Sequence, residues 1–406
     1  MNILYINHYA GSPSMGMGYR VYYLAREWTK AGHNVLIVCS SFSHIRRKQA
    51  DDVEKSAFVK VCGNKAFRCK IDGLDYLVLR TCKYNGNGIK RALNMMSFVG
   101  KLFTVARAEV LRFHPNVIIA SSTYTWDNWA ACYYARKCNA KYVYEVRDIW
   151  PLTPMKLGHM SKWNPFIWLL QRAENFACKN ADVIVGLLPA ANKHLEKHGM
   201  SPGKYVWVPN GVVLEEWPNE VVLRKTPTNL QFTIAYVGGH ALSNALDTFC
   251  EAAALLPDVK FVLVGSGVQK PRLMAKCADM RNVEFREAVP KSEIPYVLKQ
   301  FDCLYIGWMK NPLYQYGISP NKLYDYMMSG TPIVHAVEAA NDPVAEAKCG
   351  ISCEPESADA LVDAITKMRA FSVEERQRMG WRGHEYVMKN HLIPELAQRF
   401  SMAFVK

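Results

Sequence analysis

The segment Ser319–Val334, with the sequence SPNKLYDYMMSGTPIV, combines groups that could bind a diphosphate. Ser319 can cap a helix, and Pro320 fits the first turn of that helix. The next three backbone amides would then point out of the helix N-terminus, where the dipole favours anions. They belong to Asn321, Lys322 and Leu323. Asp325, one turn further on, could accept hydrogen bonds from ribose hydroxyls. The segment therefore predicts a site for a nucleoside diphosphate.

A second group of charged residues follows an apolar run in the first half of the chain. The segment EVRDIWP, residues 145–151, places Arg147 and Asp148 just beyond the run Tyr142–Val146. In open α/β sheets, ligands bind beyond the strand C-termini. Arg147 could therefore bind an anionic group of such a ligand. The alternative is an ion pair between Arg147 and Asp148 that serves only the structure.

Glycines stand in the loops that follow apolar runs in both halves. Gly16 and Gly18 begin a G-x-G-x-x-G pattern, but position 21 is valine and no acidic residue ends the next apolar run. A nicotinamide dinucleotide site is therefore poorly supported. These glycines could let the backbone approach a phosphate, or they could serve turns only. Gly238, Gly239 and Gly265 could allow the same close approach in the second half.

These motifs resemble those of retaining family 4 glycosyltransferases with the GT-B fold. The closest resemblance is to the bacterial branch that adds amino sugars, such as N-acetyl-L-fucosamine, during O-antigen and capsule assembly. In that family, two glutamates separated by seven residues bind the donor. The second glutamate corresponds to Asp325, a shorter carboxylate, and the first to Gly317, which has no side chain. Arg147 stands where many relatives have a histidine that contacts the donor sugar. The resemblance implies that Arg147 could stabilise charge on the departing diphosphate or orient a sugar hydroxyl.

The resemblance implies further contacts with the donor. Asn210 belongs to the segment PNGV, which in that family marks the hinge between domains and contributes to the cleft. Many relatives place an arginine near His240 and a lysine near Asn244, both on the diphosphate. Because both residues are uncharged here at neutral pH, the phosphate charge would fall on backbone amides and on Lys322, with Lys310 as a further candidate. A purely structural histidine is the alternative for His240.

The resemblance also assigns the nucleobase to the stretch around Arg286. This side chain could stack on the base, and a solvated charge pair is the alternative. The expected catalytic residues are Arg147, Asp148, Lys322 and Asp325. The residues expected to bind the donor are Gly16, Gly18, Asn210, Gly238, Gly239, His240, Gly265, Arg286, Ser319, Asn321, Lys322, Leu323 and Asp325. No metal is implied, and no cofactor apart from the UDP-sugar donor.

The composition is typical of a globular protein of two domains. At 406 residues the chain is long enough to bury two full cores. Its 12 cysteines form no C-x-x-C pair, which favours buried thiols in a reducing cytosol. The N-terminal sequence MNILYIN lacks the positive flank of a signal peptide, and no apolar run approaches the roughly 18 residues of a membrane span. We expect a cytoplasmic protein that is peripheral at the inner face of the cytoplasmic membrane.

Positive charge is concentrated in the first half. Residues 1–210 contain 29 lysines and arginines against 13 acidic residues, a net charge of +16, whereas residues 211–406 carry a net charge of −2. A basic half indicates an anionic partner, such as a lipid leaflet, a lipid-linked diphosphate or nucleic acid. Residues 88–112 predict a basic amphipathic helix that could bind an anionic membrane surface, or that packs on the core. Its predicted apolar face consists of Ile89, Leu93, Met96, Phe103 and Val110.

Short apolar runs alternate with helical segments in both halves, which predicts parallel, doubly wound sheets. The predicted strands are Ile3–Asn7, Asn34–Cys39, Val117–Ala120, Tyr142–Val146, Val183–Gly186, Tyr205–Val208, Phe232–Val237, Lys260–Val264, Cys303–Ile306 and Ile333–Ala336. We expect an acceptor-binding Rossmann-like domain at residues 1–207 and a nucleotide-sugar-binding one at 208–384. The resemblance implies that these domains face a cleft, as in the GT-B fold, and that residues 385–406 cross back to the first domain.

The sequence therefore predicts a glycosyltransferase that moves a hexosamine from a UDP-sugar to a lipid-linked saccharide, such as one carried on polyprenyl diphosphate. Two other classes are left open. A GT-B-fold UDP-sugar 2-epimerase would share the diphosphate site, and a non-enzymatic protein that binds anionic surfaces would explain the basic half. The sequence has no D-x-D, G-x-S-x-G, H-E-x-x-H or G-x-x-x-x-G-K-[ST] motif, which argues against metal-dependent single-domain transferases, hydrolases, metalloproteases and P-loop enzymes.

Overall fold

The computed structural model describes residues 1–16, 19–53, 58–86, 88–218 and 231–405. The chain divides into two compact units, each built around one sheet. The N-terminal unit comprises Met1–Pro209 together with Ile393–Lys406, and the C-terminal unit comprises Asn210–Leu392. The predicted pair of Rossmann-like α/β domains is confirmed. Within the described ranges, every helix is too short or too polar to span a lipid bilayer.

The N-terminal unit contains a sheet in the order β3-β4-β5-β2-β1-β6-β7-β8-β9. Its strands are β1 (Asn2–Ile6), β2 (Asn34–Ser40), β3 (Val59–Val61), β4 (Ala66–Ile71), β5 (Leu74–Leu79), β6 (Val117–Ala120), β7 (Lys141–Val146), β8 (Val183–Gly186) and β9 (Tyr205–Trp207). From β5 to β9 all neighbouring strands are parallel and largely buried, as expected for a sheet with helices on both faces. The strands predicted in this half are confirmed.

One edge of this sheet departs from the parallel prediction. Strand β4 pairs antiparallel with both β3 and β5, and Cys69 lies opposite Tyr76 in the β4–β5 pair. The turn between these two strands is Asp72-Gly73, and both residues have positive φ angles, 46° and 83°. This is the geometry of a tight two-residue hairpin, for which Asp-Gly is a strong sequence signal. The sequence analysis overlooked that signal.

Helices pack on this sheet, and the end of the chain adds one more. They are α1 (Tyr19–Lys30), α2 (Ala50–Val53), α3 (Ile89–Phe103), α4 (Arg107–Phe113), α5 (Asp127–Cys138), α6 (Leu152–Lys156), α7 (Pro165–Asn180), α8 (Asn192–Lys197) and α16 (Ile393–Ser401). The last helix packs on α1, where Trp28 Nε1 donates to the Ala397 carbonyl at 3.0 Å and the Trp28 ring contacts Phe400 and Phe404. The end of the chain therefore returns to the N-terminal unit, but it does so from Ile393 and not from residue 385 as predicted. Residue 385 still lies inside a helix of the C-terminal unit.

The C-terminal unit has a wholly parallel sheet in the order β12-β11-β10-β13-β14-β15. Its strands are β10 (Thr233–Val237), β11 (Lys260–Val264), β12 (Val283–Arg286), β13 (Cys303–Gly307), β14 (Ile333–Ala336) and β15 (Gly350–Cys353). The chain starts at a central strand, builds outward in one direction, and then returns to build in the other. That is the strand order of dinucleotide-binding folds, and it leaves a crevice between β10 and β13.

Two helical layers cover the two faces of this sheet. The helices are α9 (Leu246–Leu255), α10 (Lys270–Lys276), α11 (Ile294–Leu298), α12 (Asn321–Met328), α13 (Pro343–Ala347), α14 (Ala358–Ala370) and α15 (Val373–Asn390). Alternate strand residues enter opposite cores, because side chains alternate along a strand. Leu304 and Ile306 pack with α12, whereas Cys303 and Tyr305 pack with α9 and α14.

Candidate active site

The crevice of the C-terminal sheet brings together the loops that follow β10, β11 and β13. Gly238, Gly239 and His240 follow β10 directly, and the segment after β13 leads into α12. Tyr326 of α12 ties this helix to β10, since its hydroxyl lies 2.5 Å from the Val237 amide nitrogen and 2.8 Å from the Val237 carbonyl oxygen. The helix N-terminus is therefore held against the same crevice as the glycine loop.

The start of α12 differs from the prediction at Ser319. Pro320, with φ −80° and ψ 136°, is the capping residue, and the helix begins at Asn321. Ser319 is thus one residue too early to cap the helix. It accepts two hydrogen bonds from Asn210 instead. The Asn210 backbone amide donates to Ser319 Oγ at 2.8 Å, and Asn210 Nδ2 donates to the Ser319 carbonyl at 2.7 Å. Asn210 therefore anchors the loop that leads into the helix.

The amide of Leu323 is also engaged, because it donates to the Pro320 carbonyl at 3.2 Å. The prediction counted three outward amides. The geometry leaves those of Asn321 and Lys322 as the first two N–H groups of the helix, which have no partner inside it.

Lys322 is the charged group at this helix start. Its Nζ donates to the Tyr236 hydroxyl at 2.8 Å and to Asn244 Oδ1, and it lies 4.8 Å from the centroid of the Tyr236 ring. No carboxylate of the described residues lies within ion-pair distance of it. Burial lowers the pKa of Lys322 to about 7. A cation held by neutral groups alone is poised to bind an anion.

His240 supplies the second unusual group in the crevice. Its side chain is fully buried, and in the described part of the chain neither ring nitrogen has a hydrogen-bond partner. Burial, together with the charges of Lys270 and Lys322, lowers the pKa of His240 to about 4, so the ring is neutral at pH 7. A neutral imidazole offers one donor and one acceptor. Both ring nitrogens are therefore available to a hydrogen-bond partner that enters the crevice.

Close backbone packing holds this histidine loop in place. The His240 amide donates to the Ser266 carbonyl at 2.8 Å. Gly265 has a φ of +147°, and a Cβ there would lie 2.0 Å from the Gly238 carbonyl oxygen. Gly265 is therefore required for the two loops to touch. This packing explains the glycine by itself, whereas the prediction had explained it by close approach of the donor. Gly239, by contrast, faces more open space, since a Cβ on it would lie 3.9 Å from the Ser266 carbonyl oxygen.

Asp325 lies in the second turn of α12 and is largely buried. Lys291 Nζ is 2.7 Å from each of its two carboxylate oxygens. The sequence analysis missed this partner, for which the segment VPKSE carries no recognisable signal. Gly317, the position of the family's first glutamate, has φ 104° and ψ 178°. A glutamate would be strained in that conformation, so the backbone here is suited to the glycine.

Two other cations that were predicted to contact the donor, Arg286 and Lys310, form ion pairs or hydrogen bonds with protein side chains. The guanidinium of Arg286 bonds Glu284 at 2.7 Å and Gln300 at 3.0 Å, and it lies over the Phe301 ring. A role of Arg286 in stacking on the base stays a prediction and would require these contacts to loosen. The exposed Lys310 pairs with Glu354, so the structure does not bring it to Lys322.

In the N-terminal unit, Gly16 adopts a left-handed turn with φ 80°. Its amide donates to the carbonyls of Ser12 and Pro13, both at 3.0 Å, and a Cβ would lie 3.1 Å from the Arg47 side chain. These contacts favour the turn interpretation, and contact with a donor stays a prediction. Gly18 lies outside the described residues.

Arg147 and Asp148 follow β7 as predicted, half-buried and exposed respectively. No ion pair joins them within the described ranges. The buried pair is instead Glu145 with Arg20, at 2.9 Å, and Tyr5 donates to the same carboxylate at 2.6 Å. The sequence shows Glu145 as the first residue of the EVRDIWP segment, but nothing in the sequence points to Arg20, which is 125 residues away.

This buried pair organises the end of the first sheet. Arg20 also donates to the carbonyls of Val208 and Pro209, at 2.9 and 2.7 Å. Burial alone would raise the pKa of Glu145, but the charges of Arg20 and Arg147 outweigh it and lower that pKa. The carboxylate therefore stays ionised and serves as an internal anchor.

The N-terminal sheet has its own crevice, where the strand order reverses between β1 and β6. Asn7 and His8 follow β1 there, and they bond the Ser121 carbonyl at 2.6 Å and the Ser122 hydroxyl at 3.0 Å. His8 is fully buried and lies 2.7 Å from the Tyr124 hydroxyl. The sequence analysis missed His8, because one histidine beyond a strand carries no distinctive pattern.

Comparison with known proteins gives these sites a family. The family described as Glycosyltransferase Family 4 matches residues 15–216, and the one described as Glycosyl transferases group 1 matches residues 231–370. No curated protein matches the chain significantly.

Among solved structures, sucrose-phosphate synthase from Thermosynechococcus elongatus is similar with a TM-score of 0.73 and 15% identity, covering 99% of this chain and 97% of that one. Anabaena HepE in complex with UDP and glucose has a TM-score of 0.66 and 13% identity, covering 100% and 99%. WaaG, a glycosyltransferase involved in lipopolysaccharide biosynthesis, has a TM-score of 0.65 and 12% identity, covering 99% of both chains. At these identities the likeness shows the fold alone.

The two Rossmann-like units and the two sequence matches define a glycosyltransferase of the GT-B fold. More narrowly, the chain belongs to the family 4 glycosyltransferases, a retaining family that uses nucleotide-sugar donors. The epimerase and the non-enzymatic alternatives are therefore set aside.

Proposed function

We propose that this enzyme transfers a hexosamine-type sugar from a UDP-sugar to a hydroxyl of a lipid-linked saccharide during assembly of bacterial surface polysaccharide, such as O-antigen or capsule. One observation carries the donor site. Lys322 has no acidic partner among the described residues, and it stands at the N-terminus of α12 in a crevice that also contains the unpartnered ring of His240. These groups suit a diphosphate, whose charge would compensate the lysine.

The same groups account for the chemistry of the leaving group. Cleavage of the bond between the sugar and UDP leaves negative charge on the diphosphate, which Lys322 and the first amides of α12 would stabilise. His240 would donate one hydrogen bond to the diphosphate or to the sugar. The acceptor hydroxyl would form the new glycosidic bond on the same face of the sugar, and its proton would pass to the departing diphosphate oxygen.

Asp325 would hold the ribose hydroxyls of the nucleotide. Its carboxylate accepts two contacts from Lys291 and still has lone pairs for two hydroxyl donors. Lys291 would set the orientation of the carboxylate. In this proposal Asp325 binds the nucleotide and takes no part in bond cleavage.

The acceptor would bind in the N-terminal unit, where two arginines act on His8. After burial, the groups that lower the pKa of His8 are Arg46, Arg91 and His44. Beside them, a cavity of about 720 Å³ separates α3 from residues 150–166. Its lining includes Arg91, Met95, Trp150, Leu157, Met160 and Phe166. A cationic edge next to an apolar wall suits the diphosphate and first isoprene units of a polyprenyl carrier.

An exposed apolar surface on the same unit supports contact with a membrane. The predicted helix 88–112 is two helices, α3 and α4, and its core contacts are made by Met95, Phe98 and Leu102. Much of the predicted apolar face is therefore exposed, with Ile89 80%, Leu93 52% and Met96 54% accessible. Trp163 and Trp168 are also exposed, beside Lys162 and Arg172. Aromatic rings flanked by cations are typical of membrane interfaces.

The decisive experiment is to offer the purified enzyme a panel of nucleotide sugars with a polyprenyl-diphosphate monosaccharide as acceptor. We expect a mass increase of one hexosamine from a UDP donor, and NMR of the product should show that the anomeric configuration is retained. Transfer from donors with other nucleotides only, or with inversion, would overturn the proposal. So would UDP that fails to raise the melting temperature at saturating concentration.

Binding to the membrane is tested separately with vesicles. The wild-type protein should sediment with vesicles that contain anionic lipid, and the triple variant Ile89→Ser/Leu93→Ser/Met96→Ser should stay in the supernatant while it still binds UDP. Equal sedimentation of both proteins would refute this surface as the contact.

A further inference from the structure

A cluster of potential metal ligands lies in the N-terminal unit, apart from the residues assigned to donor and acceptor. It joins α7, which carries Glu174, to α8 and the residue that ends it, which carry His194 and His198. The histidines are four residues apart, so their rings lie on one side of the helix, with centroids 4.3 Å apart and planes tilted by 42°. Glu174 is completely buried, and His194 nearly so. A buried carboxylate needs a partner that compensates its charge.

Two amide side chains, Gln171 and Asn175, also contact this cluster. Gln171 Nε2 lies 2.7 Å from Glu174 Oε2, 2.9 Å from Asn175 Oδ1 and 2.9 Å from His198 Nδ1. With its proton on Nδ1, His198 donates to Asn175 Oδ1 at 2.8 Å, and the two hydrogens of Gln171 Nε2 serve Glu174 and Asn175. The amides therefore orient Glu174 and His198, as the outer partners of metal ligands do.

The distances are close to those that one metal ion requires. His194 Nε2 lies 2.9 Å from Glu174 Oε1, and one ligand atom from each of the three residues lies within 4.8 Å of the others. Ligands bonded to zinc at about 2.0–2.2 Å in a tetrahedron are separated by roughly 3.4 Å. Small side-chain rotations would bring the three atoms to these separations. Two imidazoles and a carboxylate are a ligand set that zinc prefers over calcium or magnesium.

We propose that Glu174, His194 and His198 bind one divalent transition-metal ion, preferably zinc, which ties α8 to α7 in the N-terminal unit. The ion replaces the hydrogen bond between His194 and Glu174 and compensates the buried carboxylate. Its role is structural and does not depend on the sugar donor or the acceptor. His198 is only half-buried, which leaves an entry path for the ion.

The test is a zinc titration of the full-length enzyme after treatment with a chelator. It uses a Cys62→Ser/Cys82→Ser background, because these two thiols are exposed and could bind zinc adventitiously. We expect one zinc per chain by elemental analysis and a rise in Tm on addition of zinc. His198→Ala should weaken zinc binding at least tenfold and abolish the rise in Tm. The matched control His159→Ala removes an exposed histidine of the same unit and should leave both unchanged.

A second variant guards against misfolding. Glu174→Gln keeps the shape of the side chain and removes its charge, so it should lose zinc while UDP still raises its Tm. If His198→Ala binds zinc with the stoichiometry and affinity of the parent protein, or if the parent binds none at micromolar free zinc, the proposal is wrong and the cluster is a hydrogen-bonded network alone.

Discussion

The two crevices of this enzyme share a topology but differ in their charges. In the N-terminal unit, the buried cation Arg20 is neutralised by Glu145 and by backbone carbonyls, and the residues that follow β1 are uncharged hydrogen-bonding groups. In the C-terminal unit, the half-buried cation Lys322 has the neutral partners Tyr236 and Asn244, and no acidic partner among the described residues. The fold therefore neutralises the charge of Arg20 but leaves that of Lys322 uncompensated within the described part of the chain.

This difference separates stability from function. A buried ion pair that is complete contributes order to its domain, and breaking it is costly. A buried cation without a counter-ion opposes folding, and natural proteins retain such groups at functional sites. In the proposed function the C-terminal crevice holds the charged part of the donor, and the N-terminal unit binds the acceptor.

The strongest test of this contrast is to break the buried pair. Arg20→Ala leaves the Glu145 carboxylate buried without its cation, so the free energy of unfolding should fall by about 3–5 kcal/mol. Chemical denaturation followed by tryptophan fluorescence measures the loss. The control Arg26→Ala removes a more exposed arginine of the same helix, which pairs with Glu27, and should cost less than about 1 kcal/mol. Equal effects of the two changes would show that the pair is not an anchor.

Removing the uncompensated cation Lys322 should lower activity without lowering stability. Lys322→Ala should lower kcat/KM for the donor by about 10²- to 10³-fold, because it removes a charge that stabilises the leaving diphosphate. Burial depresses the pKa of Lys322 in the folded state, so its ammonium opposes folding most strongly below that pKa. The melting temperature should therefore stay the same or rise. Lys310→Ala, at an exposed lysine paired with Glu354, serves as the control and should retain kinetics within about twofold. A stable Lys322→Ala variant with normal kinetics would refute the donor site.

The pH dependence of UDP binding sharpens the same point. The pKa of Lys322 is about 7 in the free enzyme, and a bound diphosphate should raise it. Binding then takes up a proton above pH 7, so the affinity should fall by up to about tenfold between pH 7.5 and 8.5. Calorimetry in buffers of different ionisation enthalpy measures both the affinity and the proton uptake. Lys322→Arg, which stays charged, should lose this dependence. An unchanged slope in that variant would assign the proton to another group.

The smallest expected effects come from two glycines of the donor crevice. Gly265 allows two loops to pack, and Gly239 leaves space that the diphosphate could use. Gly265→Ala should destabilise the fold by about 1–3 kcal/mol, because its Cβ would meet the Gly238 carbonyl at 2.0 Å. Gly239→Ala has space for a methyl group and should keep the wild-type melting temperature. If the diphosphate approaches this backbone, the donor KM should still rise several-fold. A normal KM would place the diphosphate away from Gly239.

Local patterns predicted much of this molecule. Each of the strands expected from apolar runs is present within two residues, because a buried parallel strand needs a continuous apolar run that can be read in the sequence. Lys322 and Asp325 were placed on one helix start from the sequence alone. The edge hairpin was missed although Asp72-Gly73 signals it, and the predicted cap at Ser319 was wrong because Pro320 takes the capping position.

Long-range partners could not be predicted in this way. Neither the bond of Lys291 to Asp325 nor that of Arg20 to Glu145 follows any periodicity, since the partners are 34 and 125 residues apart. The sequence by itself determined two halves with largely parallel sheets, the basic first half and the helix start that we propose as the diphosphate site. The tertiary structure alone decided which charges are compensated, because the order of strands in a sheet determines which loops meet at its edge, and a charge is neutralised only by groups that the fold brings within bonding distance.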